Sequence, residues 1–248
     1  MAISTFKRYE TKFMLTRTQF EALTTALQEY MIPDAYCTDG KLYTIYNIYY
    51  DTPDNQLIRH SLSKPYYKEK LRLRSYKQNA GENDKVYLEI KKKIGGIVAK
   101  RRASLTLGEA RNFLENGEYP EEPSYINKQV LDEISYFLEA YRDIKPKAYI
   151  AYDRMAMFAK DDNNFRITFD TNIRTRRDDL TLSSSAYGKQ LLLPDHFLME
   201  IKIISAMPLW LAGLLSELGI YKTSFSKYGT EYKNYLHDHE YYKLKDAI

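Results

Sequence analysis

The sequence predicts an α+β fold: a closed antiparallel β-barrel with a charged interior, and helices packed on its apolar outer face. Two observations predict it. The first is the stretch 71–102. It runs Leu71-Arg72-Leu73-Arg74-Ser75-Tyr76, a polar turn from Gln78 to Lys85, then Val86-Tyr87-Leu88-Glu89-Ile90-Lys91-Lys92-Lys93. A Gly95-Gly96 turn follows, and then Ile97-Val98-Ala99-Lys100-Arg101-Arg102. Strand side chains alternate between faces, so Arg72 and Arg74 share a face, as do Glu89, Lys91 and Lys93, opposite Leu88 and Ile90. The second observation is recurrence of the same spacing at Glu10/Lys12, Tyr152/Arg154, Arg166/Thr168/Asp170 and Glu200/Lys202. One strand with a solvated charged face is ordinary. A whole set of them is reconciled by a sheet that closes, turns those faces inward and loses its exposed edges.

The elements follow in order. Residues 6–14 alternate as a strand. Thr18-Gln19-Phe20-Glu21 has the form of a capping box for a helix with the stripe Phe20, Leu23, Leu27 and Tyr30, which Pro33 ends. Residues 42–50, rich in tyrosine and isoleucine, form a strand, and a short helix is expected around 54–61 before the two hairpins of 71–102. Thr106 and Glu109 make a second capping box. After a loop from Gly117 to Pro123, Ser124 caps a helix with the stripe Ile126, Val130, Ile134, Phe137 and Tyr141. Residues 147–159 are a long strand, 161–164 a turn and 165–170 its partner. Residues 171–194 read as loops with one short strand, and 197–204 as another strand. Ser205-Ala206-Met207-Pro208 opens a helix that Gly219 stops, and the tail after Tyr228 forms a polar helix.

Composition narrows the function. The 248 residues are 44% hydrophobic and 28% charged with a net charge of only +4, so the placement of charge matters and a global basic field does not. No repeat or linker divides the chain, and a single domain spanning residues 1–248 is expected. Tyrosine is abundant, at 24, and an apolar ring with a polar tip suits the lining of a wet cavity. One cysteine, Cys37, excludes internal disulfides and cysteine-based zinc clusters. Residues 1–7 lack the apolar core of a signal peptide, and no apolar run is long enough for a membrane span. A soluble, cytoplasmic protein is expected. The four histidines offer no catalytic triad; His237 and His239 read as a solvated pair, and Cys37 as inert.

On closure the cavity holds Lys12, Arg72, Arg74, Lys91, Lys93, Arg154, Arg166 and Lys202 against Glu10, Glu89, Asp170 and Glu200. Two like charges ~6 Å apart repel by roughly 3 kcal/mol at an effective dielectric near 20. The complement of such a cavity is a polyanion with a divalent metal held by the carboxylates. A row of phosphates suits arginine forks and lysine point charges better than one carboxylate substrate does. On strand alternation Lys100 points inward, Arg101 stays in water and Arg102 could take either side. Nucleic acid is not expected as a partner, since the basic residues lie inside the expected barrel rather than along a surface groove.

Taken together and in order, several short motifs resemble the VTC domain. This is the polyphosphate polymerase module of the triphosphate tunnel metalloenzyme, or CYTH-like, superfamily. They are Phe6-Lys7-Arg8-Tyr9-Glu10-Thr11-Lys12-Phe13, Tyr49-Tyr50-Asp51-Thr52-Pro53, Lys68-Glu69-Lys70-Leu71-Arg72-Leu73-Arg74 and Leu88-Glu89-Ile90-Lys91-Lys92-Lys93. Further on come Tyr152-Asp153-Arg154, Arg166-Ile167-Thr168-Phe169-Asp170, Met199-Glu200-Ile201-Lys202 and Ser224-Phe225-Ser226-Lys227-Tyr228. The resemblance implies a triphosphate tunnel that moves the γ-phosphate of ATP onto a growing polyphosphate. It implies phosphate contacts from Lys12, Arg72, Arg74, Lys91, Lys100, Arg154 and Arg166, tunnel positions for Tyr152 and Ser226, and a role in transfer for Lys227. It also implies Mn²⁺ or Mg²⁺ on Glu200. Among the cavity's carboxylates, Glu10 is the second expected metal ligand. Two departures stand out. The superfamily's hydrolases open with Glu-x-Glu-x-Lys, and Arg8 stands where the first Glu would be. Eukaryotic members carry a further basic residue where this chain has Ser224. The rival expectations are a tripolyphosphate or nucleoside-triphosphate hydrolase of the same superfamily, and a non-catalytic polyphosphate-binding module.

Overall fold

The structure is a computed structural model that describes residues 9–37, 40–204 and 206–245, with side chains described as far as residue 238. The first three residues of the expected N-terminal strand, Phe6 to Arg8, and Ser205 therefore lie outside the described residues. The strands are β1 (Tyr9–Thr16), β2 (Met31–Pro33), β3 (Tyr43–Asp51), β4 (Tyr67–Ser75), β5 (Lys85–Ile94) and β6 (Ile97–Thr106). They continue with β7 (Lys145–Ala159), β8 (Arg166–Arg176), β9 (Lys189–Gln190), β10 (His196–Ile203) and β11 (Lys222–Thr223). The helices are α1 (Arg17–Leu27), α2 (Gln56–Leu62), α3 (Leu107–Asn116), α4 (Tyr125–Ala140), α5 (Leu209–Glu217) and α6 (Lys227–Lys245). None of them is long and apolar enough to cross a membrane among the described residues.

The chain forms two compact units. One comprises Met1–Thr44, Tyr152–Ile173 and Leu192–Phe225; the other comprises Ile45–Ala151, Arg174–Leu191 and Ser226–Ile248. Each buries the alternate residues that the sequence marks as apolar. In the first unit β1 lies between β11 and β10, and β10 pairs with β8, all antiparallel. Phe13 and Leu15 of β1, Ile167 and Phe169 of β8, and Met199 and Ile201 of β10 pack with Leu23 and Leu27 of α1 and Leu211 and Leu215 of α5. Full burial of each such side chain contributes about 1.5–3 kcal/mol. In the second unit β3, β4, β5 and β6 are consecutive antiparallel neighbours. Leu71, Leu73, Val86, Leu88, Ile90 and Ala103 pack under Phe113 of α3 and Val130, Ile134 and Phe137 of α4. The Gly95-Gly96 turn, with φ of +53° and +90°, joins β5 to β6 as a two-residue hairpin.

Local signals hold in part. Thr106 caps α3 with the reciprocal Glu109 bond, and Ser124 accepts the Asn127 N–H to start α4. Gly219, at φ +61°, ends α5 as the left-handed residue past the cap, with Ile220 N–H donating to the Leu215 carbonyl. The α1 cap is Thr16 with Gln19, not Thr18 with Glu21. Two overlapping capping frames exist in the sequence, and the one adjoining the end of β1 is used. Nor does α1 reach Pro33: it stops at Leu27, because Met31–Pro33 pair with residues 157–159 of β7 as a strand. Ile126 is 67% exposed and drops out of the α4 stripe.

The sheet is antiparallel with helices, but the expected closure is not among its described pairings. The hydrogen-bonded order runs β11-β1-β10-β8-β7-β3-β4-β5-β6, with β2 on β7 and β9 on β8. At β6 the Asn127 side chain of α4 takes both backbone groups of Ser104, accepting its N–H at 3.0 Å and donating to its carbonyl at 2.8 Å. At Ser104 a helix side chain thus takes the place that a further strand's backbone would fill.

Candidate functional site

Strand register assembles the charged residues within each unit. In the second unit Lys70 stands opposite Lys91, which stands opposite Lys100; Arg72 stands opposite Glu89, which stands opposite Arg102. Directly opposed residues share a face. Lys68, Lys70, Arg72, Arg74, Lys91, Lys93, Lys100 and Arg102 therefore lie on one face with one carboxylate, Glu89. Tyr49 and Asn47 of β3 continue it opposite Arg72 and Arg74.

Glu89 is 1% exposed. Its Oε2 accepts Arg72 Nε at 2.6 Å and lies 3.8 Å from Arg74 Nε. Its Oε1 meets Lys100 Nζ at 2.6 Å and Arg102 Nε at 2.8 Å. Burial alone would raise its carboxyl pKa, but Arg72, Arg74 and Lys100 hold it far below the carboxylate range. The same crowding acts in reverse on the amines. Burial, and then Arg72, Arg74 and Arg102, push Lys100 down to about 7 against the pull of Glu89. Burial, Lys93 and Lys91 lower Lys68. Arg102, left open by the sequence, joins this face and lies over the Tyr87 ring at 4.3 Å. Arg101 is not simply solvated: it pairs with Glu133 of α4 at 3.5 Å.

The first unit builds a second charged face. Glu10 and Lys12 of β1 stand opposite Lys202 and Glu200 of β10, which stand opposite Arg166 and Thr168 of β8. Lys12 Nζ lies 3.3 Å from Glu10 and 3.7 Å from Glu200, and donates to the Phe225 carbonyl at 3.1 Å. Lys202 reaches Glu200 at 2.5 Å. Arg154 makes a two-pronged pair with Asp170, at 2.6 and 2.8 Å, above the Tyr152 ring. Burial opposes the charge of Arg154, yet Asp170 and Tyr152 hold it protonated far beyond its ordinary range. Arg166 pairs with Asp34 at 3.3 Å. Its Nε and the Thr168 hydroxyl, in a residue 1% exposed, are buried without a protein partner.

A model of the VTC domain matches residues 7–236. The chain belongs to the VTC domain family. A candidate adenylate cyclase from Bacillus halodurans aligns over 89% of this chain and 95% of its own, at a TM-score of 0.53 and 15% identity. Two more distant structures align less well. A candidate adenylate cyclase from Vibrio parahaemolyticus scores 0.47 at 13% identity, covering 90% of this chain and 96% of its own. A candidate adenylyl cyclase from Hippeastrum, reported with a dominant triphosphatase activity, scores 0.46 at 15% identity, covering 91% and 95%. No curated protein sequence matches the chain.

In this VTC domain the carboxylates divide by what they touch. Asp170 is engaged by Arg154, and Glu89 by four cations. Glu10 and Glu200 both meet the Lys12 ammonium, and Glu200 also meets that of Lys202, so the oxygens of both carboxylates already face cations. No group of three or more acidic, histidine or cysteine side chains suited to a metal occurs among the described residues. This donor set fits Mg²⁺ or Mn²⁺, hard ions that take one or two carboxylates and fill the remaining positions with phosphate oxygens and water.

Sequence reasoning missed the device that holds α6. Lys227 is its first residue. Ser226 just before it accepts the Gly229 N–H at 3.2 Å and the Lys70 ammonium at 3.4 Å. Asp51, fully buried, accepts the N–H groups of Thr52, Leu57 and Ile58 at the start of α2, and the Tyr228 hydroxyl at 2.9 Å. Burial and then Asp51 push Tyr228 far up, so it stays a donor. Arg177 grips Glu231 at 2.7 and 2.9 Å and donates to Asn55 at 3.1 Å. The tail helix is therefore not polar all round. Lys68 and Lys70 were also missed, although they extend the Arg72/Arg74 alternation. The distant Asp51–Tyr228 pair left no signal in the sequence.

Proposed function

We propose that this VTC domain synthesises polyphosphate, transferring the γ-phosphoryl group of ATP to the end of a polyphosphate chain with Mn²⁺ or Mg²⁺ as cofactor. The observation that carries this reading is the face of the second unit, where eight basic side chains of β4, β5 and β6 share a surface with one carboxylate of those strands, Glu89. A ligand matching that face must present several negative charges in a row. Arginine forks suit pairs of phosphate oxygens, and lysines act as point charges. In this reading Arg72, Arg74, Lys91, Lys93, Lys100 and Ser226 bind phosphate in the second unit. Lys12, Tyr152, Arg154, Arg166 and Lys202 do so in the first. Lys227, at the start of an anchored helix, stabilises the transferring group, and Glu200 with Glu10 holds the metal. The bound ion would neutralise charge on the phosphate oxygens.

Phosphoryl transfer asks little covalent work of protein. It asks for alignment and cancellation of charge. A terminal oxygen of the polyphosphate attacks the γ-phosphorus. The bond to the β-phosphate's bridging oxygen breaks, and ADP departs with the electron pair. The attacking oxygen is already anionic, so no general base is needed, and the histidines have no assigned task.

One observation favours a second reading. Glu10 and Glu200 are two carboxylates on neighbouring strands, and such a pair with a metal also suits activation of water, as in a triphosphate hydrolase. Incubation with ATP and Mn²⁺ tests the choice. Long chains with ADP are the expected products. Orthophosphate as the main product would replace the polymerase by the hydrolase, and no turnover would reduce the protein to a binding module.

A further inference from the structure

Glu89 is the least expected group on the second unit's face. A buried carboxylate at the centre of a phosphate site repels the ligand, so its presence needs a reason. Its geometry supplies one. Each of its oxygens serves two cations: Lys100 and Arg102 on Oε1, Arg72 and Arg74 on Oε2. These cations come from both neighbouring strands, β4 and β6, so one carboxylate on the middle strand ties three strands' charged side chains to a common point. We infer that Glu89 is a positioning residue, an internal counter-ion that holds Arg72, Lys100 and Arg102 together until a phosphoryl anion becomes their partner, and that this exchange draws a proton onto Lys100. The inference deepens the phosphate-binding reading and rests on it.

The proton follows from the charges around Lys100. Facing it are Glu89 and Lys91 on β5, Lys70, Arg72 and Arg74 on β4, and Arg102 on its own strand. α4 also packs on β6, where Glu133 takes Arg101 and Lys92. Burial first, and then Arg72, Arg74 and Arg102, outweigh the pull of Glu89 and hold the ammonium down to about 7. Its side chain is 37% exposed, which leaves it open to an incoming anion and to water. Bound phosphate adds negative charge beside it and raises its pKa. A fraction of Lys100 that is neutral in the free protein then takes a proton from buffer.

Calorimetric titration with inorganic tripolyphosphate, in two buffers of different ionisation enthalpy near the Lys100 midpoint, counts that proton. Lys100→Arg carries a permanent charge, so the wild type should take up more protons than this variant. The ligand's own titration contributes equally to both and cancels. Glu89→Gln removes the attraction of that carboxylate for Lys100 and should increase the uptake, while Glu89→Asp should restore the wild-type count. Equal proton counts for wild type and Lys100→Arg, with binding intact, would overturn the inference and leave the function reading standing. No binding heat for the wild type would overturn both. Should Glu89→Gln fail to fold, the Lys100→Arg comparison still decides.

Discussion

The charged faces of the two units arise from the same period-two alternation, but they balance charge differently. In the first unit the cations have carboxylates at hand: Lys12 has Glu10 and Glu200, Lys202 has Glu200, Arg154 has Asp170 and Arg166 has Asp34. In the second unit Arg72, Arg74, Lys100 and Arg102 share the single carboxylate of Glu89, and Lys68, Lys70, Lys91 and Lys93 lie on the same face. The difference separates two jobs that one composition could hide. The face with paired carboxylates is the one to which the proposed function assigns the metal ion. The cation-rich face is the one to which the proposed function assigns the polyanion.

Four measurements would break or sharpen this contrast. The largest effect is expected at the helix carried by the cation-rich unit. Lys227→Ala should lower polyphosphate synthesis by about a thousandfold, the scale on which a preorganised charge at the transferring group acts, with the circular dichroism spectrum unchanged. Normal turnover in a folded variant would remove Lys227 from the mechanism. On the balanced face Asp170→Asn strips the counter-charge from Arg154, which is 9% exposed. Removing one partner of a buried ion pair costs about 3–5 kcal/mol. A thermal melt within one degree of wild type would show that Arg154 does not depend on Asp170.

The third measurement separates metal from phosphate. Glu200→Gln should reduce metal-dependent turnover by about 10–100-fold, in line with lost metal affinity, while tripolyphosphate still binds without metal. An unchanged Mn²⁺ titration of activity would remove Glu200 as a ligand. The smallest effect probes the cation-rich face as a whole. Tripolyphosphate at about ten times its Kd should stabilise the fold by about 1.4 kcal/mol through mass action, and raise Tm by about 3–5 °C for a chain of this size. Added salt should shrink that shift. Equal shifts at low and high salt would argue against an electrostatic site.

What the sequence determined by itself is what depends on near neighbours. Alternation needs only the period of a strand, so the faces of Arg72 and Arg74, of Glu89 and Lys91, and of Glu200 and Lys202 were legible residue by residue. The Thr106/Glu109 box and the Gly219 stop are likewise complete within a few residues. The tertiary structure decided what depends on distant partners. Thr16 rather than Thr18 caps α1 because β1 runs up to it, and Met31–Pro33 leave the helix because β7 offers hydrogen bonds. Asn127 takes both backbone groups of Ser104 on the β6 edge. Arg102 joins Glu89 through register with β5, and Asp51 finds Tyr228 across 177 residues. Periodicity is a local property of the chain. The choice of partner for a charge or an unpaired backbone group is made only when remote segments meet, because burial leaves such a group no water to bond instead.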